Sequence, residues 1–109
     1  EKFFESYDVL LTPTLAQPGI PAIEWHKKSW LSNVRANVAY APYASPWNYL
    51  KWPAASIPAG VHATAGVPLA VQIVAPPRAD AAGEALIVSL AAQLERLRPW
   101  PRIAPGYDD

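Results

Sequence analysis

Ala54-Ala55-Ser56-Ile57-Pro58-Ala59-Gly60-Val61 and Val67-Pro68-Leu69-Ala70-Val71-Gln72-Ile73-Val74-Ala75, separated by His62-Ala63-Thr64-Ala65-Gly66, decide how this chain folds. Both runs are apolar and of strand length, and the glycine-containing connection between them is of hairpin length. Strands joined so briefly must be antiparallel, because a parallel pair needs a long crossover. Towards the C-terminus, residues 80–97 read as a helix. Asp80 is its N-cap, Leu86, Leu90, Leu94 and Leu97 form its buried stripe, and Arg96 and Arg98 lie near the negative end of its dipole. Residues 99–109 are a proline-rich terminal tail tied down by Trp100 and otherwise mobile.

Working towards the N-terminus, residues 43–53 read as an aromatic loop, and Pro42 and Pro46 end the helix before it. That helix runs from Trp25 to about Ala41, with Trp30, Val34, Val38 and Ala41 on its apolar face and Lys27, Lys28, Asn33 and Arg35 opposite. Residues 14–24, with Pro18, Gly19 and Pro21, are loop. Tyr7-Asp8-Val9-Leu10-Leu11-Thr12, closed by Pro13, has the pattern of a buried strand rather than an alternating edge. Phe3, Phe4 and Tyr7 have the spacing of a last helical turn. The expected fold class is α/β: about three strands, one antiparallel hairpin among them, with two to three helices. Such a layer leaves a sheet edge of open donors and acceptors, which predicts pairing with upstream chain or self-association.

Composition narrows the function. The chain has 109 residues, 51% hydrophobic and 17% charged, enough apolar material for a core and too much for general disorder. Nine basic and nine acidic residues give no field for phosphate, so nucleic acid is not an expected partner. The absence of cysteine rules out disulfides and thiolate metal sites and fits a cytoplasmic location. No apolar run approaches the roughly 20 residues that cross a bilayer, so no membrane is expected. The chain starts at Glu1 and has no methionine, which suggests that a longer protein contains it. Thirteen prolines divide it into short elements.

Three stretches carry a resemblance. They are Tyr7-Asp8-Val9-Leu10-Leu11-Thr12-Pro13-Thr14, the run Trp47-Asn48-Tyr49-Leu50-Lys51-Trp52-Pro53 leading into Ser56-Ile57-Pro58-Ala59-Gly60, and Pro68-Leu69-Ala70-Val71-Gln72. Together they resemble the C-terminal portion of the amidase signature hydrolases and span nearly the whole chain. The resemblance implies a fragment of that family's mixed-sheet fold. Asn48, Pro53, Pro58, Gly60, Pro68 and Gln72 follow the family's hairpin pattern; Lys51 stands where the family usually has glycine, Leu50 where it often has a small hydroxyl residue, and Ala70 where it often has glycine. The resemblance also places Thr12 and Thr14 at the rim of a substrate channel.

Read one by one, most notable residues are structural. The serines and lysines form no nucleophile and base arrangement, so no catalytic residue is assigned within the chain. Asn48 holds a turn or bonds substrate, the first reading being favoured. Gln72, inside an apolar strand, is expected to satisfy its amide on neighbouring backbone. His26 and His62 lack a second ligand at metal spacing, so no metal and no cofactor is expected. The five tryptophans are core material first, with Trp47 and Trp52 placed near the channel. The expected substrate-binding set is therefore Thr12, Thr14, Trp47, Asn48 and Trp52.

By resemblance, the parent protein would hydrolyse a carboxamide to carboxylate and ammonia or amine through a Ser/Lys-driven acyl-enzyme. The Gly/Ser-rich segment and lysine for that chemistry are not in these residues, and the piece itself is expected to be inactive. The alternatives are an amidotransferase subunit of the same fold, which would have partner subunits, and a non-catalytic interaction module using exposed tryptophans and prolines.

Overall fold

In a computed structural model, which describes residues 2–101 and 103, three strands form one antiparallel sheet: β1 (Leu10–Pro13), β2 (Ala54–Val61) and β3 (Pro68–Val74). The spatial order is β1-β3-β2, so the hairpin partner β3 sits in the middle and both other strands are edges. Among the described residues both strand pairings are antiparallel. Proline placement follows from hydrogen bonding: Pro13 and Pro58 lie on edge strands and Pro68 is the first residue of β3, so no central ladder position loses its N–H. The hairpin closes through His62, whose backbone N–H donates to Val67 O and whose Nδ1 accepts from the N–H groups of Thr64 and Ala65. Between Pro58 and Gly60 the register shifts at a bulge, with Gly60 at φ 115°, a region costly for any residue with a Cβ.

Three α-helices complete the fold: α1 (Trp30–Tyr40) and α2 (Ser45–Leu50) between β1 and β2, and α3 (Ala82–Leu97) after β3. The helix α3 covers one sheet face. Ile57, Ile73, Ala75 and Ile87 are the buried centre, and Val9, Ala55, Val71, Leu90, Ala91, Leu94 and Trp100 pack around them. Trp100 thus does tie down the start of the tail; residues 102 and 104–109 of that tail lie outside the described residues.

Several expectations change. The buried stripe of α3 runs through Gly83, Ile87, Leu90 and Leu94, while Leu97 is 82% exposed, because the helix docks close to the sheet at its first turn. A Cβ on Gly83 would stand 2.5 Å from Pro76 O, so that docking needs a glycine. Asp80 does not cap α3. Asp80 and Ala81 both take left-handed conformations (φ 55° and 57°), which turns the chain into the helix without a side-chain cap. The preceding helix begins at Trp30, not Trp25, because Ser29 caps it: Ser29 Oγ accepts from Ser32 N–H. Residues 25–27 form a separate 3₁₀ turn.

Pro46 starts α2 rather than ending α1. A first-turn proline forfeits no helical hydrogen bond, since that N–H has no partner in any case. The β1 strand is an alternating edge rather than a buried strand, with Leu11 54% exposed. Residues 2–5 make a 3₁₀ turn, and Phe3 stacks on Tyr7 at 4.7 Å.

One face is finished and the other is not. No residue of α1 is buried, and half of its expected apolar stripe lies open, Trp30 at 77% and Val38 at 64% exposure, while Val34 and Ala41 are half-buried. The accessible surface is 8432 Å². A closed monomer of 11.9 kDa exposes about 5,900 Å². The difference is the size of a large interface.

Candidate functional site

Antiparallel register places directly opposed residues on one face of the sheet. Thr12 opposes Gln72 and Gln72 opposes Ser56, so a polar row crosses all three strands. Its neighbours on the other register positions, Leu11, Ile73 and Ala55, point to the opposite face, where α3 packs. Thr14, two residues beyond Thr12, shares the polar side: its Oγ1 lies 3.0 Å from Ser56 Oγ, and its N–H donates to Ala70 O at 3.1 Å.

Gln72 is the hub. It is buried, and its Nε2 donates to Thr12 Oγ1 at 3.1 Å and to Tyr43 O at 3.0 Å. These bonds tie β1 and β3 to the corner between α1 and α2. The expected backbone partner of Gln72 is found at Tyr43 for the NH2 half of the amide, with Thr12 as a second, side-chain acceptor. A further tie, Ala16 N–H to Tyr40 O, holds the chain after β1 against the end of α1. Between them lies an open cleft of about 360 Å³, lined by Leu15, Ala16, Pro18, Tyr40, Leu69 and Ala70 among others. It adjoins Thr14 at the exit of β1.

Trp47 and Trp52 form a second group. Their ring centroids are 5.9 Å apart, and Trp52 also meets Phe4 at 5.2 Å, so both belong to an aromatic cluster that joins α2 to the N-terminal turn. Asn48 is exposed on α2, and its side chain makes no hydrogen bond among the described residues, so it does not hold the turn. The turn is instead made by backbone: Trp52 N–H donates to Trp47 O and Lys51 N–H to Asn48 O, with Lys51 left-handed at φ 56°. A glycine would take that conformation without strain. Neither tryptophan nor Asn48 lines the cleft beside Thr14.

The expected site residues therefore divide into a threonine pair on the sheet and an aromatic–amide group on α2. Ser56 and Tyr43 were not foreseen, because their roles depend on strand register and on a helix corner distant in sequence. Among the described residues no cluster of His, Asp and Glu could hold a metal, and no helix is long and apolar enough to cross a membrane.

The family model described as Amidase matches residues 1–82. A protein of Mycobacterium tuberculosis named putative amidase AmiA2 is 37% identical over 94% of this chain and 20% of its own length. An acylamidase of Rhodococcus erythropolis is 38% identical over 95% of this chain and 21% of its own, and a putative amidase AmiC of Mycobacterium bovis is 35% identical over 94% and 20%. No solved structure matches the chain significantly. The chain spans about a fifth of the length of these relatives and, on the strength of the matched segment, belongs to the amidase family.

Proposed function

We propose that these residues form part of an amidase that hydrolyses a carboxamide to carboxylate and ammonia or amine. The Ser/Lys acyl-enzyme chemistry would be supplied by polypeptide outside the 109 residues, and the piece alone would be inactive. One observation carries this reading: identity of 37–38% runs along almost the whole chain yet covers only about a fifth of each relative. The open side of the fold supports it too. Its uncovered surface and its two edge strands are where the rest of such a polypeptide would pack. In this reading the polar row and the cleft beside Thr14 form one wall of the substrate channel, and Trp47, Asn48 and Trp52 its outer rim. The wall would exclude water and orient the amide rather than react with it. The relatives' names, amidase and acylamidase, favour hydrolysis over transfer to an acceptor.

The test compares two proteins on a panel of aliphatic and aromatic amides. The longer polypeptide that carries this chain should release ammonia or amine. The 109-residue piece should release none, and steady turnover by the piece itself would overturn the reading.

A further inference from the structure

Gln72 is 4% exposed, yet only half of its amide has a partner among the described residues. Tyr43 O can only accept a hydrogen bond, so the end of the amide facing it must be nitrogen. Both Nε2 hydrogens are then committed, one to Tyr43 O and one to Thr12 Oγ1. Oε1 has no partner among the described residues. Since no fully buried side-chain oxygen or nitrogen there lacks a partner, Oε1 lies at the small accessible part of the residue. Thr12 has the complementary polarity. Its oxygen already accepts from Gln72, so its O–H is turned away and is free to donate.

The sheet therefore presents a hydroxyl donor and an amide acceptor side by side, the amide's polarity fixed by Tyr43 O and the hydroxyl's by the amide. A primary carboxamide presents the matching set on one side, a carbonyl that accepts and, cis to it, an N–H that donates. A carboxylic ester offers only the carbonyl. Resting on the amidase reading, we propose that Gln72 Oε1 receives the N–H cis to the carbonyl of a primary amide substrate while the Thr12 hydroxyl donates to that carbonyl. Gln72 is thus a specificity-determining residue for amides over esters. The arrangement suits this task because the acceptor is held from behind by Tyr43 and cannot rotate to offer its nitrogen instead. A site built around a specific N–H discriminates against an analogue lacking it, since its own buried acceptor is then left unpaired.

The experiment uses the longer polypeptide and two substrates with the same acyl group, a primary amide and a methyl ester. Gln72→Met should lower kcat/KM for the primary amide about tenfold and leave the ester within about twofold, as expected for one lost hydrogen bond to a buried acceptor. Thr12→Val should lower both substrates about tenfold, and Thr12→Ser should restore both. If Gln72 only braces β3 against Tyr43, amide and ester fall together in Gln72→Met, and the proposal is overturned. Should Gln72→Met fail to fold, the threonine pair decides: recovery in Thr12→Ser supports the assignment, and an unchanged Thr12→Val removes it. A wild-type protein without turnover of any amide would defeat the amidase reading itself, an outcome distinct from any of these.

Discussion

The two sides of this small sheet differ in what covers them. Under α3, Ile57, Ile73 and Ile87 meet with almost no solvent access, and Gly83 lets the helix backbone come within contact of Pro76. On α1, by contrast, Trp30, Leu31 and Val38 are more than half exposed, although the helix has good capping at Ser29 and regular hydrogen bonding. Local signals alone suffice to form a helix, but they do not bury it. The difference teaches that apolar residues at helical spacing mark a face intended for burial and do not say which partner buries it.

The largest expected effect tests that contrast directly. Ile87→Ala should destabilise the protein by about 2–5 kcal/mol, since it opens a cavity in a packed core. Leu31→Ala on α1 should change the stability of the isolated chain by less than about 0.5 kcal/mol. Urea denaturation of both variants followed by circular dichroism checks this, and equal losses would show that α1 is packed after all. In the longer polypeptide, the Leu31 variant should become costly if that face is covered there.

Gly83→Ala comes next. Alanine is the better helix former by up to about 1 kcal/mol, but its Cβ would meet a backbone oxygen that cannot easily move. Overpacking of this kind costs about 1–3 kcal/mol, so the net change should be destabilising. A raised denaturation midpoint would mean that α3 does not approach Pro76 so closely.

The smallest effect is expected at the end of α2. Lys51 is left-handed there, a conformation that strains a residue with a Cβ, so Lys51→Gly should stabilise by about 0.5–1 kcal/mol despite the added freedom of the unfolded chain. Thermal unfolding would detect this as a higher midpoint, and a lower one would count against the left-handed stop. The position also shows how the family resemblance bears on local geometry: a site where the family usually has glycine is one where this backbone needs a positive φ.

Much was legible in the residues themselves. The hairpin, its antiparallel sense, the long C-terminal helix and the edge placement of prolines follow from short-range rules of connection length, periodicity and missing N–H groups. Resemblance pointed to the family, which the matched segment shows. Other features were hidden. Pro46 could end one helix or start the next, and only the backbone direction after Tyr43 selects the second. The buried stripe of α3 is rotated towards Gly83 and Ile87, a choice made by how closely the helix can approach the sheet.

The sequence by itself determined that residues 54–75 fold back as two paired strands, because an apolar hairpin with so short a connection has no parallel alternative. Only the tertiary structure decided which residues face one another. The pairing that begins as Val61 with Pro68 would, if continued, set Ser56 against Ile73; the bulge between Pro58 and Gly60 shifts it by one, so Ser56 meets Gln72 instead. A shift of one residue sends a side chain to the other face of a sheet. The polar row that joins Ser56, Gln72 and Thr12 therefore exists because of one irregular residue in an edge strand and the arrival of β1 on the far side of β3, neither of which local pattern specifies.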